Sequence, residues 1–151
     1  PFHFLSNSLL NNKPSVSSSS ASGSIGLNLP SITLQEIFAV AYYKDGSDST
    51  FDGYNTLISG PGSSGAYRIF GSTGSANWYT ANSQWNFNDN GNFKNGATSS
   101  SDTVLPMPAT LLRFTSSAPR TEIRGILYNL GVDSRGWIGG VGEIIGLPSI
   151  S

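Results

Sequence analysis

Hydrophobic residues recur at every second position through "ITLQEIFAVAYY". Ile32, Leu34, Phe38, Val40 and Tyr42 share one parity, and Glu36 interrupts their row. Period two lines one face of a strand, so this stretch is predicted to be a long half-buried strand. A turn cluster, "KDGSDSTFDG", ends it. Short β-rich pieces follow, "YNTLISG", "YRIFG", "ANWYTA" and "SQWNFN", each bounded by glycine or asparagine, residues that turn the chain. After the loop "NDNGNFKNGATSSSD" come "VLPMPATLLRFT", "EIRGILYNLGVD" and a glycine-rich closing strand. No window of useful length carries a helical period, and strands at hairpin spacing argue for an all-β sandwich or barrel. Eighteen glycines and eight prolines fit that turn load. No fixed internal repeat is evident, which argues against propellers and solenoids.

The closing stretch, "SRGWIGGVGEIIGL", places Glu143 at the parity of Trp137, Val141, Ile145 and Leu147. An ionised carboxylate in an apolar row is costly unless it is hydrogen-bonded or paired. Glu143 therefore reads as a structural fastener that accepts backbone N–H bonds or meets Arg124 or Arg135, with a ligand contact as the alternative. Gly140, Gly142 and Gly146 lie on the other parity, where missing side chains admit a neighbouring backbone.

At the other end, "SVSSSSASGS" holds seven serines in ten residues and has almost nothing to bury. It reads as a flexible or extended linker. The expected organisation is an N-terminal arm over 1–14, a Ser-rich linker and entry segment over 15–31, and a β-sandwich over 32–151. In the arm Phe2, Phe4, Leu5, Leu9 and Leu10 are apolar. They pack back on their own domain or dock on a neighbouring subunit. The opening residues lack the basic head and continuous apolar core of a secretion signal, and Pro1 is compatible with trimming of a starting methionine, with cleavage from a precursor, or with an arbitrary boundary.

Composition narrows the function. Eight Lys and Arg against nine Asp and Glu give a net charge of -1, which offers no footprint for a nucleic-acid backbone or an anionic membrane. No run of about 18 apolar residues is available for membrane insertion. Charged residues make up only 11%, so the surface is expected to be neutral and polar. Without cysteine there are no disulfides or thiolate chemistry, and neither an oxidising nor a reducing compartment is indicated.

The motif "LGVDSRGWIGGVGEIIGL" resembles the last strands of the concanavalin A-like lectin/glucanase superfamily in its laminin-G-like jelly-roll branch. There a Gly-Asp pair, a short turn and an aromatic precede "G-x-I-G-E" and a run of aliphatics. Gly131 and Asp133 are separated here by Val132. Upstream, "NGNFKNGATSSS" is similar to that branch's Asn-Gly hairpin, and "PATLLRFTSS" to the strand between. The resemblance covers about Leu34 to Leu147, and its last third is the specific part. It implies two antiparallel sheets packed face to face, and binding of glycans or protein surfaces, sometimes with calcium. Asp133, Trp137 and Glu143 of this stretch are expected to have structural roles. The superfamily's glucanases alternate carboxylates as Glu-x-Asp-x-Glu on one strand. Glu36, Glu122 and Glu143 each lack a second carboxylate two residues away, so hydrolysis by that route is not expected.

Two loops carry oxygen donors suited to calcium: Asp45, Asp48 and Asp52 in one, and Asn88, Asp89 and Asn90 in the other. Turn chemistry accounts for the same residues. A sugar platform needs aromatic faces beside amides, and "ANWYTANSQWNFND" supplies Trp78, Tyr79, Trp85, Asn86 and Asn88; packing in the core is the alternative. His3 stands without a Ser or carboxylate arrangement that would make a triad. No phosphate loop, zinc constellation or nucleophile in context is present, and no cofactor beyond optional calcium is indicated. The expected function is therefore a non-catalytic structural or adhesive jelly-roll protein of a large assembly. A virion component attached through its arm is favoured, placed in the virion or at an extracellular surface, with neighbouring subunits as partners in a homo- or hetero-oligomer. The alternative is a glycan-binding lectin module.

Overall fold

The computed structural model describes residues 3–7, 10, 12–21, 26–60, 69–78, 92–94, 97–99, 104–128 and 135–149, with backbone alone at 3–7, 92–94, 97–99, 117, 121 and 122. Its regular elements are strands: β1 (His3–Asn7), β2 (Lys13–Ser18), β3 (Leu27–Tyr43), β4 (Thr56–Ser59), β5 (Ile69–Phe70), β6 (Asn92–Lys94), β7 (Ala97–Ser99), β8 (Thr110–Ile126) and β9 (Gly139–Leu147). Among the described residues they form one antiparallel sheet, ordered β1-β2-β9-β3-β8-β4-β5, with β6 pairing β7 and β8 beside it. The sheet is not closed into a barrel, and the all-β antiparallel class agrees with the sequence reading.

The long β3–β8 ladder is the spine. Glu36 pairs Thr115, but Leu34 pairs Arg120, so β8 carries extra residues opposite Gln35. Further register shifts fall between Asn28 and Leu34. Bulges of this kind bend and twist a strand. Residues from both halves of the ladder, together with β4, β5 and β9, share one core that includes Ile37, Phe114, Ile123, Ile58, Ile69 and Val141. This is the two-layer packing of a sandwich, made from a folded-over sheet.

The bulges also decide which side chains face inward, because a one-residue slip inverts the parity of a strand. Leu34 is in the core, and after the irregularity so are Ile37, Ala39, Ala41 and Tyr43. Phe38, Val40 and Tyr42 therefore lie on the outer face, which corrects the single row drawn from period two. A second inversion occurs on β9. Val40 pairs Glu143 while the next residue, Ala41, pairs Val141, so Gly142 is the extra residue. Val141 faces the core and Glu143 is exposed.

The N-terminal segment belongs to the sheet. Phe4 and Leu5 of β1 pair with Val16 and Ser15 of β2, and β2 pairs in turn with β9 through Val16, Ser17 and Ser18. Ser15 and Ser18 are buried, and so is Leu10. The expected linker thus begins as a strand: its backbone polar groups find partners on both sides, which a serine-rich composition does not prevent. Phe2 and Leu9 lie outside the described residues.

Candidate functional site

The aromatic segment beginning at Trp78 was a candidate sugar platform. Trp78 is 3% exposed and stacks on Trp137 with centroids 6.0 Å apart and planes 18° apart. Its edge meets Phe114 at 5.6 Å, and Phe51 packs beside it at 5.6 Å. The ring is core and offers no face to a sugar, because the inward parity of this bridge residue puts it between the layers. Tyr79, Trp85, Asn86, Asn88 and Asp89 lie outside the described residues, as does Asp133. Trp137 is fully buried and donates its indole N–H to the Tyr42 carbonyl at 3.0 Å, a structural role.

Around this aromatic centre one polar node is buried. The Tyr43 hydroxyl donates to Asn55 Oδ1 at 3.0 Å and accepts from the Asp52 N–H at 3.1 Å. Asn55 also accepts from Gly53 N–H and donates Nδ2–H to the Gly136 carbonyl at 3.0 Å. The node ties the turn after β3 to the strand entering β9. Burial raises the Tyr43 phenol above its ordinary value.

The acidic turn beside it holds an ammonium group. Lys44 Nζ lies 2.9 Å from Asp52 and 3.1 Å from Asp48. Its pKa is raised, chiefly by the hydrogen bond to Asp52. Asp45 accepts from the hydroxyl and the N–H of Ser47, an arrangement that caps the turn and lowers its carboxyl. Among the described residues no group of three His, Cys, Asp or Glu side chains is placed to hold a metal. Asp45, Asp48 and Asp52, offered for calcium, thus make a turn with its own counter-ion, while Asn88, Asp89 and Asn90 lie outside the described residues.

The fastening carboxylate is Glu36, which the sequence marked only as an interruption. It is 0% exposed, and Arg113 reaches its Oε1 through both Nε and Nη2. The same guanidinium lies 5.6 Å from the centre of the Phe38 ring. Arg135, an expected partner of Glu143, instead stacks over Tyr54 at 4.6 Å.

Among the described residues, the outer face of β8, β3 and β9 carries two exposed large apolar side chains, Leu111 and Ile145. Three cross-strand rows compose it: Leu111–Val40–Glu143, Arg113–Phe38–Ile145 and Thr115–Glu36–Leu147. Leu111 and Ile145 are 45% and 48% exposed, while Phe38, Val40 and Leu147 are half-buried. Next to these rows runs an open groove of about 610 Å³ lined by Leu10, Lys13, Pro14, Val40, Ala109, Gly142 and Glu143. Leu10 seats over Gly142, where an added Cβ would come within 3.0 Å of its Cδ1. The glycine accommodates a side chain there, not the backbone expected of it. Lys13 and Glu143 are both exposed. Sequence reasoning missed Lys13, Val40 and Ala109 as a group because they come from three separate segments. The one signal available was the scarcity of charge, which makes each charged strand residue informative.

No family model, curated protein or solved structure matches this chain.

Proposed function

We propose that the chain is a non-catalytic β-sandwich module of the concanavalin A-like type that acts as a structural or adhesive component of a large protein assembly. A virion surface is the setting that its cysteine-free, nearly neutral sequence favours. The observation that carries this reading is the outer face of β8, β3 and β9. Exposed Leu111 and Ile145 flank half-buried Phe38 and Val40, beside an apolar groove. Contiguous apolar surface rimmed by polar groups is characteristic of protein contacts, and aromatic residues with arginine are enriched at their centres. Docking through this face replaces attachment through the arm, since the described part of the arm is engaged with its own sheet. A lectin reading has lost Trp78 from its platform.

The test is co-fractionation. The wild-type chain, produced in its source, should sediment with a large particle and be identified there by mass spectrometry. An Ile145→Asn/Leu111→Asn variant of unchanged circular dichroism should stay in the soluble fraction. A wild-type chain found only free, or a variant incorporated as well as wild type, refutes the reading.

A further inference from the structure

We infer that the crease of the folded-over sheet is a binding site for one small, uncharged hydrocarbon group about the size of a benzene ring, bounded by Leu34, Ile37, Ile58, Ile123, Ile126 and Ile144. The inference stands apart from the assembly reading, because these residues belong to the core or pack against it and the docking face lies on the outer side of the sheet.

The walls come from four strands. Ile32 pairs directly with Ile123, and Ile58 with Ile126, which joins β3, β8 and β4 on one side. On the other side Gly146 of β9 pairs with Ile37 of β3. Between Ile32 and Ile37 the β3–β8 ladder shifts register twice, and shifts of this kind bend a strand. The side chains on either side of that bend leave a cavity of about 170 Å³ between them. Gly146 helps to keep it open, since a Cβ there would stand 2.6 Å from Leu34 Cδ2 and push that side chain aside. Leu34, Ile37, Ile58 and Ile123 are buried and make the floor, whereas Ile32, 39% exposed, and the exposed Gly146 mark the way in.

The lining sets the chemistry of the ligand. Eight of the nine residues around the cavity are leucine or isoleucine, and the ninth is Gly146. Hydrocarbon side chains give a water molecule none of the polar partners it needs to settle in a cavity. The same walls give an apolar group dispersion contacts on several sides at once. No charged residue is among those lining the cavity, so an ion would be buried there without a partner. Volume sets the size. An apolar cavity of about 150 Å³ lined by Leu, Ile and Phe takes up benzene, and this one is close to it in both volume and lining.

Methyl-resolved NMR of the full chain with labelled isoleucine, titrated with benzene, tests the inference. The methyl signals of Ile37, Ile58, Ile123 and Ile144 should shift along one saturable curve, in about the millimolar range expected of so small a ligand, while those of Ile138 and Ile145 stay in place. Pyrazine, of the same size but with a nitrogen at each end of the ring, should bind on the order of tenfold more weakly, because one nitrogen is always buried without a partner. Ile144→Phe fills the cavity from β9 and Ile126→Phe fills it from β8. Each should weaken benzene on the order of tenfold, with circular dichroism checking that the variant is folded. The two wild-type titrations decide the matter even if neither variant folds. Shifts that do not saturate or that spread to Ile138 and Ile145, equal affinity for pyrazine, or a folded phenylalanine variant that binds as well as wild type overturns the inference. The Ile145→Asn/Leu111→Asn variant should bind benzene like the wild type, so failure of this site and failure of the assembly reading are separate results.

Discussion

Arg113→Met should cost about 3 kcal/mol of unfolding free energy, and Glu36→Gln only about 1 kcal/mol, although both break the same ion pair. The asymmetry comes from burial: the Glu36 side chain is 0% exposed and that of Arg113 is 27%. Removing the guanidinium takes the counter-charge from a carboxylate that water does not reach. Removing the carboxylate charge leaves a cation that can turn toward solvent. Breaking one side of a buried pair costs about 3 to 5 kcal/mol, and the open side of Arg113 places this pair at the lower end. Met keeps much of the packing against Phe38 but loses the cation–π contact, worth about 0.5 to 1 kcal/mol at such a site. The Glu36→Met/Arg113→Met double variant replaces the pair by apolar groups and should lie within about 1 kcal/mol of wild type. Urea denaturation followed by far-ultraviolet circular dichroism reads all three, with the slopes compared to confirm that the unfolded states match. For a domain of this size the Arg113 variant should also melt about 6 to 12 °C lower. Equal costs for the two single variants, or a double variant as unstable as Arg113→Met, would show that burial does not set the energetics of this pair.

Alkaline pH should weaken the fold through Tyr43 and Lys44. Each is raised in the folded state, Tyr43 mainly by burial and Lys44 mainly by its bond to Asp52, so the unfolded chain releases those protons first. Their contribution is complete below about pH 10 and is lost as pH rises through the folded-state values. Urea midpoints measured between about pH 9 and 11 should fall, and Tyr43→Phe should flatten that slope; an unchanged slope would contradict the assignment. Among the glycines, Gly139→Ala should cost about 3 kcal/mol or more, because its φ of +134° disfavours a side chain and the new Cβ would stand 2.2 Å from the Tyr42 carbonyl oxygen. Gly142→Ala should cost less than about 1 kcal/mol, since its tightest contact is with the far end of the Leu10 side chain at 3.0 Å and the Pro14 carbonyl oxygen stands at an ordinary 3.8 Å. Calorimetric melting would settle the order, and the reverse order would refute it.

Period-two alternation and turn residues are local properties of a chain, and they were enough to determine the all-β class, the long strand ending at Tyr43 and the closing strand. The burial of particular side chains was not local. Leu34 and Ile37 face the core together, and Val141 and Glu143 face opposite ways, because bulges near Gln35 and at Gly142 invert parity. A bulge exists only in relation to the partner strand whose register it breaks, and that partner is distant in sequence. The same reason moved the fastening role from Glu143 to Glu36, whose counter-ion comes from β8. Ser15 and Ser18 read as linker because their side chains have little to bury, yet the exposed backbone edge of β9 recruits their segment as a strand. Lys13, Val40, Ala109 and Glu143 carry no common signal along the chain. They form one groove because antiparallel pairing brings β2 and β3 to either side of β9, and only the folded sheet supplies that adjacency.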